Sequence, residues 1–210
     1  MQSLGVFAFV LCIVAGCHGN TFKLGACPRV VVMNNLDFDQ FLGEWYVVQR
    51  FNPMATCTKI LYNKTSDDSY TISEKSRPLG LNFNFHYQFI KPRHLNFLRN
   101  DTTSIFRAER DIAHFTLSTF GVIDTDYNNY AVVWGCDPVL FGSIQNVDIL
   151  SRTPTPQTNL IKSVKETLKN LSIDYHPMDN VDQTRCEDSN SNSDGSSTDG
   201  DRNTNNIIAG

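Results

Sequence analysis

The sequence predicts an all-β fold, an antiparallel meander of strands followed by a single C-terminal α-helix. Three observations carry this. Runs rich in β-branched and aromatic residues follow one another at 44–51, 56–62, 69–75, 81–90, 93–98, 104–108, 113–119, 121–126, 129–136 and 144–151, with short turn-like gaps. Within them, Leu81-Asn82-Phe83-Asn84-Phe85-His86-Tyr87-Gln88-Phe89 alternates apolar odd positions with polar even ones, the period of a strand with one buried face. After the last run, Leu160, Ile161, Val164, Leu168 and Leu171 recur at helical spacing while Lys162, Lys165 and Lys169 take the opposite side.

The elements follow in chain order. Leu4 to Gly16 is a nearly unbroken apolar run, too short to span a bilayer, and small residues follow it. Residues 1–19 read as a signal peptide cleaved after Gly19, with Gly16 the other cleavage point. The segment lacks Lys and Arg before its apolar run, and Val14-Ala15-Gly16-Cys17 also fits a bacterial lipobox. Residues 20–186 form one domain. It opens with a short helical turn between Asn35 and Leu42, ahead of the first strong strand. The runs between about 64 and 112 do not resolve into individual strands. Thr155-Pro156 reads as an N-cap followed by proline at the first helical position, giving a helix over about 156–170. From 187 to 210, Ser, Asn, Asp, Gly and Thr dominate, a composition that cannot bury enough apolar surface to offset ordering entropy. This is a disordered acidic tail.

Charge and cysteine content narrow the class. The net charge is −4, accounted for by Glu187, Asp188, Asp194, Asp199 and Asp201 against Arg202 in the tail. The body is close to neutral, with no basic footprint for nucleic acid and no polybasic membrane patch. No second apolar run follows the leader, so no transmembrane segment is predicted. Of the 6 cysteines, Cys27, Cys57, Cys136 and Cys186 lie beyond the leader. An even number in a secreted chain reads as two disulfides, with three connectivities open. Asn63, Asn100 and Asn170 each begin a glycosylation sequon.

Three short motifs sit on this frame: Gly43-Glu44-Trp45 at the start of a strand, Thr125-Asp126-Tyr127 between two strands, and Ser151-Arg152 at the end of a third, with the helix beyond it. Each alone is weak. Together and in this order the chain resembles the lipocalin family, most closely its apolipoprotein D and Lazarillo-like branch, over about 22–186. The resemblance implies an eight-stranded antiparallel up-and-down barrel with the helix outside it, and the disulfides Cys27–Cys136 and Cys57–Cys186. It implies that Trp45 plugs the closed end, with Gly43 allowing the tight entry and Arg152 lying across the indole. Asp126, between Thr125 and Tyr127, would fix its own loop. These residues are structural rather than ligand-binding.

The function implied is extracellular carriage of a small hydrophobic ligand, with fatty acids, sterols and related lipids ahead of bilins, retinoids and pheromones. The alternatives are a pigment (bilin or haem) carrier, and a secreted interaction or signalling protein that docks a cell-surface receptor through loops or tail. Candidate pocket residues are Phe83, Phe85, Tyr87 and Phe89 from the alternating strand, with Tyr130 and Trp134. Asp148 stands out as a carboxylate inside an apolar strand. Facing inward it would anchor a polar ligand group; facing outward it would be solvated. No catalytic or metal motif occurs, and an isomerase of the family's cysteine type needs a free thiol. His86, His94, His114 and His176 are scattered. No enzyme activity, metal or cofactor is predicted.

Overall fold

The computed structural model describes residues 20–66, 69–79, 88–99, 102–108 and 119–186, without the side chains of 88–92, 98, 99, 102 and 103. The expected leader 1–19, the expected acidic tail from 187 and the sequon residue Asn100 lie outside these residues. The chain forms β1 (Thr21–Leu24), α1 (Phe38–Phe41), β2 (Gly43–Phe51), β3 (Ala55–Ser66), β4 (Ser69–Pro78), β5 (Gln88–Arg99), β6 (Thr102–Ala108), β7 (Thr119–Thr125), β8 (Tyr130–Val139), β9 (Gly142–Ser151), α2 (Thr158–Asn170) and β10 (Met178–Asn180).

From β2 to β9 each strand pairs antiparallel with the next, and β9 returns to β2 through Tyr46↔Ser151 and Val47↔Leu150. The result is a closed eight-stranded up-and-down barrel with one C-terminal helix. Closure pairs the backbone groups that an open sheet leaves at its edges. The short strands β1 and β10 add to the outside, on β9 and β2.

Two of the expected elements differ from the sequence expectation. The run expected at 93–98 and the end of the run expected at 81–90 belong to a single strand, because β5 continues through Pro92. The β4–β5 register shifts there, with Ile72 opposite Arg93 but Glu74 opposite Ile90. A bulge tolerates a proline that a regular ladder would not. The helix begins at Thr158, not at Pro156. Gln157 is its N-cap, with φ −63° and ψ 139°. Proline's fixed φ suits extended backbone as well as a helix, so Thr155-Pro156 remains in the approach.

Strand periodicity sorts the core into two clusters. Trp45, Val47, Ile60, Tyr62, Ile72, Leu95, Phe106, Val122, Ala131, Val133 and Leu150 form the inner one, joined by Leu36, Phe38 and Phe41. Val48, Phe51, Ile123, Val132, Val147 and Ile149 form the outer one, which buries Val164 and Leu168 of α2. Adjacent residues such as Val132 and Val133, or Ile149 and Leu150, fall in opposite clusters, as a two-residue period requires. Disulfides pin both ends of the domain. Cys27–Cys136 holds the N-terminal segment to β8, and Cys57–Cys186 holds the segment beyond β10 to β3.

Candidate functional site

The Trp45 end of the barrel is sealed. Gly43 enters β2 with φ 97°, a conformation open to glycine at little cost, and a Cβ there would stand 3.3 Å from Arg152 Nη1. Trp45 is fully buried, and its indole donates to the Phe41 carbonyl at 2.9 Å. Phe41 and Phe38 come from α1, whose N-cap Asp37 accepts from the Gln40 amide. Their rings pack edge-on against Tyr62, and Phe38 also meets Tyr70, Phe97 and Phe106. The floor of the barrel is thus aromatic.

Arg152 closes this end from outside. Its guanidinium carbon lies 3.6 Å from the Trp45 ring centroid. It donates to the carbonyls of Tyr127 (3.0 Å), Glu44 (2.9 Å) and Leu42 (2.9 Å), with longer contacts to Gln40 and Phe41. The Tyr127 carbonyl is presented by a tight loop. Asp126 accepts from the amides of Asn129 (2.8 Å) and Tyr130 (3.0 Å), and Thr125 Oγ1 accepts from the Tyr127 amide while donating to the Tyr130 carbonyl. Burial pushes the Asp126 carboxyl up, but hydrogen bonds from Asn129 and from the Tyr130, Asn129 and Asn128 amides outweigh it and hold it below its ordinary value.

Further along the inner face, toward the β8–β9 turn, lies a buried polar set. A register shift after Val47 changes the parity of β2. Val48 belongs to the outer cluster, and Gln49 bonds Asn180 of β10, so Arg50, opposite Asp148, turns inward. This is the re-aiming that a bulge performs. Arg50 is 9% exposed and Asp148 5%. Arg50 donates through Nε (2.7 Å) and Nη2 (2.8 Å) to Asp148, and through Nη1 (2.9 Å) and Nη2 (3.2 Å) to Glu74. Desolvation works against the Arg50 charge, but the two carboxylates outweigh it and hold the group well above its ordinary value. Tyr62 sits in the same field. Its phenol is pushed up, first by burial and then by Asp148, so it stays un-ionised.

Known proteins place this architecture. The chain is 25% identical to apolipoprotein D of Cavia porcellus over 199 residues, covering 88% of this chain and 99% of that one. It is 25% identical to apolipoprotein D of Bos taurus over 177 residues, covering 82% and 90%. In fold it is similar to insecticyanin of the tobacco hornworm Manduca sexta, with a TM-score of 0.65 at 21% identity over 81% of this chain and 94% of that one. These likenesses support a lipocalin of the apolipoprotein D branch. Its fold is also similar to that of the cockroach allergen Per a 4, with a TM-score of 0.58 at 17% identity over 77% and 97% of the two chains. No family model matches the sequence.

In this barrel the candidate pocket residues separate. Phe83, Phe85 and Tyr87 lie outside the described residues. Phe89 belongs to β5, paired with Lys75, and its side chain lies outside them as well. Tyr130 and Trp134 are corrected: both pack in the outer cluster that holds α2, not in the lumen. They share parity with Val132, whereas Ala131 and Val133 point inward. Asp148, flanked by the outer residues Val147 and Ile149, faces inward. Arg50 was not singled out from sequence, because nothing in Val47-Val48-Gln49-Arg50 announces the bulge. Its one signal was the need of a buried Asp148 for a cation. Of the other candidates, Asn63 and Asn170 are exposed, as are His94 and His176, while His86 and His114 lie outside the described residues. Among the described residues no group of His, Cys, Asp or Glu is arranged to hold a metal ion, and no helix is long and apolar enough to cross a membrane.

Proposed function

We propose that this lipocalin is a secreted carrier that binds a small hydrophobic molecule, a fatty acid, sterol or related lipid, inside its barrel. The observation that carries the reading is a closed barrel, sealed at the Trp45 end, whose inner face joins an aromatic floor to one buried polar set. A ligand there gains about 25 cal/mol per Å² of apolar surface removed from water, less the cost of association. Binding of this kind needs no reaction. The apolipoprotein D relatives, the leader expected at 1–19 from sequence and the two disulfides support an extracellular setting. Phe83, Phe85, Tyr87 and Phe89 are kept as proposed lining residues, and Asn63, Asn100 and Asn170 as proposed glycan acceptors.

The test is extraction of the protein secreted from eukaryotic cells and purified without detergent. One apolar compound in near-stoichiometric amount is expected by mass spectrometry. An empty extract, together with no uptake of an added fatty acid, sterol or fatty alcohol, would overturn the carrier reading.

A further inference from the structure

The inner face of the barrel carries charged groups that a ligand headgroup would meet. A guanidinium grips a carboxylate through paired N–H groups along an edge, and it has two such edges. In Arg50 both are occupied, the Nε–Nη2 edge by Asp148 and the Nη1–Nη2 edge by Glu74. No edge is left for a ligand carboxylate. Among the described residues, the other inward cation is Arg93, buried opposite Ile72 with its guanidinium 6.0 Å from the Phe120 ring centroid. A third carboxylate, Asp137, is buried farther along β8 and accepts from the Thr119 amide. Among the described residues two guanidinium groups thus face three carboxylates, and a ligand carboxylate would add a fourth.

The same region holds an acceptor in want of a donor. Asn146 lies two positions from Asp148 on β9, on the same face by strand period, and is 7% exposed. Its Nδ2 donates to Asp148 Oδ1 at 2.7 Å, whereas its buried Oδ1 accepts from nothing among the described residues. A buried acceptor left unsatisfied is costly, and a ligand hydroxyl or ammonium directed at it removes that cost. Resting on the carrier reading, we propose that the lumen selects apolar ligands presenting a hydrogen-bond donor, a hydroxyl or an ammonium, over ligands presenting a carboxylate, with Asn146 Oδ1 as the acceptor.

The experiment uses the full secreted, disulfide-bonded chain after delipidation. Dodecanol, dodecylamine and dodecanoate share one tail, and each is titrated near neutral pH in competition with a fluorescent apolar probe. The alcohol or the amine is expected to bind at least about tenfold more tightly than the acid, and the tighter of the two names the donor. Glu74→Gln frees part of the Arg50 edge and removes one charge, so it should selectively strengthen dodecanoate. Asn146→Leu should lower the alcohol or amine advantage without weakening dodecanoate. Dodecanoate binding as tightly as both others, in the unmodified protein, would overturn the selection while leaving the carrier reading intact. Failure of all three ligands and of the probe to bind would overturn both.

Discussion

The Arg152 guanidinium lies 3.6 Å from the centroid of the Trp45 indole, although 107 positions separate the two residues in sequence. The contact joins the exit of the last barrel strand to the entry of the first, at the seam where β9 closes on β2. The same cation collects carbonyls from α1, the start of β2 and the Asp126 loop. It therefore acts as a fastener for the closed end.

Arg152→Ala is accordingly expected to destabilise the protein by about 2–4 kcal/mol, the sum of a cation–π contact and several charge-assisted hydrogen bonds, net of solvation. Arg152→Lys should recover less than half of that loss, because an ammonium cannot span the same carbonyls. Urea unfolding followed by tryptophan fluorescence checks both. An Ala variant within about 0.5 kcal/mol of the parent, the range of ordinary surface substitutions, would remove Arg152 from this role.

Cys57–Cys186 bridges 129 positions and anchors the segment that carries β10. Replacing both cysteines with alanine should cost about 5 kcal/mol in the chain-entropy account, less whatever structure the unfolded chain retains. Locally, the Val181 amide, which donates to the Val48 carbonyl at 3.0 Å, should exchange with solvent much faster. Hydrogen exchange resolves this. Unchanged protection at Val181 would mean that β10 docks without its tether.

The Arg50–Glu74–Asp148 set predicts an asymmetry. Asp148→Ala leaves a buried guanidinium with half its partners and should cost about 3 kcal/mol. Replacing all three by apolar residues of similar size should come within about 1 kcal/mol of the parent or exceed it, since desolvation of the ions disappears with their attraction. Equal losses in the single and triple variants would show that the network contributes net stability.

Asp174 provides a pH signature on the outer surface. A hydrogen bond from Lys23 at 2.8 Å leads the effects that lower its carboxyl from 3.8 to about 2, followed by the amide and ring of His176. A carboxyl depressed in the folded state stabilises the fold above its unfolded value. That contribution is lost as pH falls from about 3.8 to about 2. Lys23→Ala should move the Asp174 titration back up toward 3.8, as read by NMR. A midpoint unmoved by the substitution would sever this pairing.

Much of the fold is legible because alternation and composition report burial directly. The strand runs from 44 to 62 and from 121 to 151 and the stripe Leu160–Val164–Leu168 are set by which side chains must leave water. Trp45, Asp126 and Arg152 could be singled out because their motifs stand in a fixed order. The exceptions arise where one backbone residue changes parity. The bulge at Val48 turns Arg50 inward, and no residue type there demands a bulge. Tyr130 and Trp134 are aromatic like pocket residues, but face α2 because Ala131 and Val133 take the lumen. β1 and β10 escape the pattern because strands of 4 and 3 residues carry almost no periodic signal, and pairing with β9 and β2 forms them.

The central claim, that the lumen buries an apolar ligand, is tested most directly by calorimetric titration of dodecanol into the delipidated protein at several temperatures. Saturation near one ligand per chain and a negative heat-capacity change, the marker of apolar burial, are expected. Heats of dilution alone at every temperature, with no saturation, would contradict the claim.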